Sequence, residues 1–213
     1  MHELTPGRHP EWSRRADEIV RAGRFLFAQG WSPATSSNYS ARLDEELVAI
    51  TVSGRHKGHL QFSDVMTVDL HGNVHSTGRP SAETLLHCVI YSLFPNVGAV
   101  LHTHSVNATV LSRMPELAQG LELNGYELQK AFEGHTTHEE TINVPVFENS
   151  QDIAALAEQS RNWLIENPQT PAYLIRGHGM YTWGSNMDVA LRHVEAMEFL
   201  MQCEMQHLAL NRR

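Results

Sequence analysis

Cysteine is scarce. Cys88 and Cys203 are the only two in 213 residues, too few for a disulfide framework, so a reducing compartment, the cytoplasm, is the expected setting. Basic charge is scarce as well. Sixteen lysines and arginines against 24 acids leave a formal net charge of −8, and no basic block stands out. Nucleic acid and anionic membrane are therefore not expected partners, because both need a basic footprint. An anionic substrate would have to be held by local donors. Long apolar runs are missing too. Nothing approaches the roughly 20 apolar residues that span a bilayer, and Met1 to Trp12 lacks the apolar centre of a secretory signal. With 41% apolar and 19% charged residues, the chain has the composition of one globular domain over residues 1–213 with a core of its own.

Histidine is well represented, and three histidines carry the strongest signal. His102-Thr103-His104 closes the apolar run 97–101, and His178 stands in Arg176-Gly177-His178-Gly179 after the run Ala172-Tyr173-Leu174-Ile175. Side chains at i and i+2 of a strand point to the same side, so His102 and His104 are aimed together. If the two strand ends meet, three neutral nitrogens converge and a fourth position stays open. That is the ligand set of a catalytic zinc ion; a structural site closes with four protein ligands. A His-x-His alone is more often a polar strand end, and the third histidine between glycines tips the balance towards metal.

The remaining histidines read differently. His135 and His138 lie in a polar, acidic stretch expected to form a solvated loop covering the site. His56, His59, His71 and His75 fall in loops or a hairpin, and His87 and His193 on helices where packing or pairing is the expected role.

Periodicity predicts a helix from Pro10 to Gly30 with Trp12, Ala16, Ile19, Val20, Gly23 and Phe27 inward, then a strand from Leu47 to Val52. Val65–Leu70, His71-Gly72-Asn73 and Val74 read as a hairpin. A helix starts at Pro80-Ser81, strands cover Val97–His102 and Thr141–Phe147, and Pro145 suggests an edge or bulge in the latter. Ser150 is expected to cap a helix reaching Asn167. Two strands flank Gly177-His178-Gly179, and Ser185 opens a long last helix with Met187, Ala190, Leu191, Val194, Met197 and Met201 inward. Strands and helices alternate, yet the early strands join as hairpins, so a mixed or mainly antiparallel sheet with flanking helices fits better than a doubly wound one.

From about Phe25 to Leu200 the chain resembles the class II aldolase and adducin-like family. The resemblance rests on Ser36-Ser37-Asn38-Tyr39-Ser40, Ile50-Thr51-Val52-Ser53-Gly54, Pro80-Ser81-Ala82-Glu83, His102-Thr103-His104-Ser105 and Gly177-His178-Gly179, in that order. It implies a three-layer α-β-α fold, one zinc ion per subunit on His102, His104 and His178, and a homotetramer with the site near a subunit interface. Its substrates are small sugar phosphates. Asn38, Ser53, Gly54 and Ser81 match the family's phosphate cradle, where a helix start would also favour an anion, and Lys57 would add a point charge. Ser37 stands where aldolases often have glycine and Ala82 where they often have a second serine.

Ser53-Gly54-Arg55-His56-Lys57 and His178-Gly179-Met180-Tyr181-Thr182-Trp183-Gly184 look like the dehydratase branch, which handles a methylthio-substituted ribulose phosphate in methionine salvage. That implies loss of a proton from C3 and a hydroxyl from C4 of a 2-ketose, with zinc as Lewis acid for the enediolate. An aldolase or 4-epimerase would share the enediolate, and an adducin-like interaction module would need none of this chemistry. The choice lies with the carboxylates. Glu127 falls where the dehydratase branch places its acid/base, a role that calls for a raised pKa. Glu83 falls where aldolases carry theirs. Without the resemblance each reads as a solvated acid, Glu83 favourably placed on a helix dipole.

Overall fold

The structure is a computed structural model that describes residues 9–118 and 120–211. Residues 1–8, read above for a targeting segment, lie outside the described residues. The chain runs α1 (Trp12–Ala28), β1 (Asn38–Arg42), β2 (Leu47–Thr51), β3 (Val65–Asp69), α2 (Thr84–Leu93), β4 (Ala99–Thr103), α3 (Val106–Leu111), β5 (Leu121–Leu123), β6 (Ile142–Val144), β7 (Val146–Phe147), α4 (Ile153–Glu166), β8 (Ala172–Ile175), β9 (Gly179–Gly184) and α5 (Met187–Asn211). Seven strands form one sheet in the order β3-β2-β1-β4-β9-β8-β7, and β5 pairs with β6 apart from it. Every pairing in the large sheet is antiparallel except β7 with β8, the mixed sheet that the hairpin connections predict.

Helices cover both faces. On one, Tyr39, Ala41, Ala99, Leu101, Leu174 and Met180 join the buried sides of α1 and α5. On the other, Val48, Ile50, Met66, Val100, Tyr173 and Tyr181 pack under α2 and α4. Because both faces are covered, β2, β4 and β8 are buried along their whole lengths and read as continuous apolar runs. Alternation along β4 sends Ala99 and Leu101 towards α1 and α5, and Val100 and His102 towards α2. His102 is thus set on the α2 face by the same period that builds the core.

Several local expectations need correction. In α1, Leu26 is buried and Phe27 is 37% exposed. The hairpin after β3 is reduced to one bridge, Val68 with Val74. Helix α2 begins at Thr84, not at Ser81. Thr141–Phe147 is not one strand: Pro145, which cannot donate to a ladder, separates β6 in the small sheet from β7 in the large one. Asp152 caps α4, accepting from Ala155 N at 3.0 Å, while Ser150 supports Asp152 N. Asn186, not Ser185, caps α5 by accepting from Val189 N.

Candidate functional site

The site forms where β4 ends against β9. His102 pairs with Tyr181 in the β4–β9 ladder and with Asn38 in the β1–β4 ladder. The turn between β8 and β9 brings back His178. Gly177 takes φ +64°, a conformation suited to glycine, and a Cβ on Gly179 would lie 2.1 Å from the Thr103 carbonyl. Only glycine lets β9 approach the histidine strand so closely. Ser112 Oγ accepts from Gly177 N at 2.9 Å, and Thr109 Oγ1 donates to the His178 carbonyl at 3.2 Å, tying this turn to α3.

The three ring centroids lie 4.5, 4.6 and 5.1 Å apart, and the ring nitrogens of His102, His104 and His178 come within 4.8 Å of one another. Among the described residues no other group of three such side chains is placed to share an ion. His102 stacks on Tyr181 at 4.1 Å and its Nδ1–H donates to the Met180 carbonyl at 2.9 Å. That bond fixes the tautomer and leaves Nε2 as a buried acceptor with no hydrogen-bond partner. Burial pushes the imidazoles of His102 and His104 down to about 4 and about 3, so both are neutral at pH 7, as a metal ligand must be. A fixed tautomer, an orphaned nitrogen and an all-imidazole donor set fit a divalent ion such as zinc.

Glu83, at the N-cap of α2, faces this cluster. Its carboxylate lies 3.1 Å from His178 Nε2 and 3.5 Å from His102 Nε2, and accepts a 2.8 Å bond from Asn38 Nδ2. Burial alone would raise its pKa; His102, His178 and Asn38 outweigh burial and hold it well below the usual carboxylate range. Beside it a cavity of about 130 Å³ is lined by Ser37, Asn38, Ser53, Gly54, Ser81, Glu83 and His104. Asn38, Ser53, Gly54 and Ser81 therefore come together next to the histidines. Ser37 adopts φ +72°, which gives a physical reason for the glycine that aldolases often carry there. On the other side of His104 and His178 lies a more open cavity of about 530 Å³ with Pro33, Val106, Val110 and Asn149 in its wall.

Two expected site residues are placed elsewhere. Lys57 is 1% exposed, and its Nζ donates to the carbonyls of Arg55 at 2.7 Å and Thr35 at 3.4 Å. It does not line the cradle; it braces the two loops from behind, and burial lowers its pKa to about 8. Glu127 opens the 3₁₀ turn Glu127–Ala131, is 72% exposed and contacts Lys130 and His138. Neither cavity beside the triad is lined by it. Lys130 holds its carboxyl below the usual range, opposite to the shift expected for a proton donor. His135 bonds Glu140 and the Gln169 carbonyl, so the 135–138 stretch does not cover this chain's own triad. The sequence reading also missed Asn149 behind His178 (3.4 Å), the Met180 carbonyl behind His102, and Ser105, which caps α3 next to His104.

This geometry agrees with what the chain resembles. Residues 17–205 match the class II aldolase and adducin N-terminal domain. The chain belongs to this family. A relative from Marinobacter nauticus named methylthioribulose-1-phosphate dehydratase is 63% identical over 202 residues, covering 94% of this chain and 97% of its own. One of the same name from Pseudomonas aeruginosa is 60% identical over 196 residues, covering 92% and 95%. Among solved structures, the L-fuculose-1-phosphate aldolase of Thermus thermophilus superposes with a TM-score of 0.75 at 25% identity, covering 94% of this chain and 98% of that one. The aldolases share the fold with this class II aldolase-like chain; the dehydratases share most of its residues as well.

Proposed function

We propose that this chain is a lyase that removes water from 5-methylthioribulose 1-phosphate, yielding 2,3-diketo-5-methylthiopentyl 1-phosphate. The observation that carries the reading is a carboxylate and a hydroxyl-lined cradle meeting three imidazoles, in a chain 63% identical to a protein named for that reaction. Zinc is the proposed metal, held by His102, His104 and His178, and when bound it supplies Lewis-acid polarisation of the ketose carbonyl.

The chain's residues do the rest. Ser53, Gly54, Ser81 and Asn38 receive the phosphate end, with Lys57 keeping the two loops in place. Glu83 accepts the C3 proton, since it is anionic and faces the triad. The C4 hydroxyl leaves as water once an acid protonates it, and the enol left between C3 and C4 becomes the diketone. Glu127 is the proposed acid, contributed by a neighbouring subunit of a homotetramer, because in its own chain it stands apart from the triad. Val106 and Val110 offer an apolar wall for the methylthio end, 71% and 42% exposed in the single chain. Methionine salvage in the cytoplasm is the corresponding role.

A second reading, a sugar-phosphate aldolase, is favoured by one observation: Glu83 holds the place of the aldolase base. Incubation with 5-methylthioribulose 1-phosphate separates the two. Diketone formation that stops with a chelator and returns with zinc is the expected outcome. Cleavage of fuculose or ribulose phosphates with no diketone would leave the aldolase.

A further inference from the structure

Glu83, His87 and Tyr91 recur at four-residue spacing along α2. Asn38, Ser40 and Arg42 recur at two-residue spacing along β1 beneath it. Four residues of helix rise about 6 Å and two residues of strand about 6.6 Å, so the two rows stay in step. Asn38 Nδ2 donates to Glu83 at 2.8 Å, and Asn38 Oδ1 meets His87 Nε2. His87 Nδ1 lies 2.7 Å from Ser40 Oγ, and Ser40 Oγ lies 2.9 Å from the Tyr91 hydroxyl. The Arg42 guanidinium covers the Tyr91 ring at 4.8 Å and donates to the carbonyls of Tyr91 and Val97. His87 and Ser40 are 0% exposed, so water does not substitute for the bonds that these two make.

We propose that His87 is a positioning residue for Glu83, acting through Asn38 in a hydrogen-bond relay that runs in one direction from Tyr91. The direction follows from the chemistry of each group. A carboxylate only accepts, so Asn38 turns its amide nitrogen to Glu83 and its oxygen to His87. His87 must then carry its proton on Nε2, which leaves Nδ1 bare. Nδ1 accepts from Ser40, whose oxygen accepts from Tyr91. The opposite tautomer would reverse the relay and turn the Asn38 oxygen against the carboxylate. Holding the amide in one orientation holds Glu83 at the histidines.

The relay rests on the proposed role of Glu83, but its first test does not. In the metal-free protein with ¹⁵N-labelled histidine, His87 should show a protonated Nε2 and an unprotonated Nδ1; the reverse overturns the relay whatever reaction the enzyme catalyses. Wild-type turnover of the proposed substrate tests the function separately. His87→Phe should then lower kcat by about 10- to 100-fold, the usual range for a group behind a ligand or catalytic side chain. KM and zinc stoichiometry should stay near wild type. His87→Gln, which can present an N–H to Asn38, should recover most of the loss. A folded Phe variant with wild-type kcat, or a Gln variant no better than Phe, would refute the positioning role. If the Phe variant fails to fold, the tautomer and the Gln variant still decide.

Discussion

Glu83 and Glu127 both begin a helical segment, yet their surroundings differ in every physical respect. Glu83 has a 15% exposed side chain, is met by two imidazoles and an amide, and sits where β1, β4 and α2 converge. Glu127 is 72% exposed on the excursion between α3 and α4, beside Lys130. That excursion leans on α5 through Tyr126 and Glu204, and through Arg192 and the Ala131 carbonyl. One carboxylate is fixed by its own chain. The other is displayed to whatever lies next to it. Several elements over-determine the position of Glu83, whereas Glu127 lacks such support within its own chain, which is why its proposed role calls for a second copy.

The largest effect should come from the group shared by every reading. His178→Ala removes one of three metal donors, and we expect turnover to fall on the order of 10⁴-fold, with zinc stoichiometry falling in parallel. Retained metal and activity would break the triad assignment. Glu83→Gln should cost about 10³-fold and Glu127→Gln about 10²-fold in kcat, both with metal retained. Co-expression then sharpens the contrast. Glu127→Gln and His178→Ala chains mixed in one oligomer should regain activity, at roughly a quarter of sites by random pairing. Glu83→Gln mixed with His178→Ala should regain none, because both residues belong to the same chain's site. Equal behaviour of the two mixtures would mean that Glu127 acts within its own chain or not at all.

The histidine pair and its strand were legible because a period of two is local, and the glycines around His178 announced a turn. The alternating connections likewise disclosed the sheet type. Strand β1 was not legible. Tyr39 and Ala41 do alternate with polar neighbours, but Asn38, Ser40 and Arg42 also face inward to serve α2, so a short, polar-rich segment gives little sign of a buried strand. Lys57 misled for a related reason: a cation near a phosphate loop suggests a ligand, and only the three-dimensional placement shows its ammonium turned to two carbonyls. Pro145 suggested an edge or a bulge, and β7 is indeed an edge strand, but its neighbours' membership of two different sheets depends on partners distant in sequence. Glu127 marks the same limit, since its sequence position says nothing of its exposure beside Lys130 and His138, apart from the triad.

Lys57 allows a milder perturbation of the well-supported region. Lys57→Met keeps the buried stem and deletes the two bonds that brace the cradle. We expect KM for the phosphate substrate to rise about 10-fold, equivalent to about 1.4 kcal/mol, while kcat changes little. A fall in kcat at constant KM would instead put Lys57 in the chemistry.

A third carboxylate extends the comparison with the smallest effect on turnover. Glu198 of α5 is 2% exposed and faces Asn107, which donates to it at 3.1 Å, just beyond the His102–His104 strand. Burial raises its pKa to about 7 from 4.5, the opposite of Glu83, because no imidazole or cation faces it. The folded state therefore binds a proton that the unfolded state releases between those values. This group's contribution to stability is complete below about pH 4.5 and is lost as pH rises through about 7, a swing of about 3 kcal/mol. Glu198→Gln, which cannot ionise, should remove that slope, so the variant gains on the wild type in denaturant midpoint between pH 5 and pH 8 while kcat is unchanged. Parallel pH curves would show that Glu198 ionises in the fold as readily as in the unfolded chain, and that burial alone does not separate the acids of this protein.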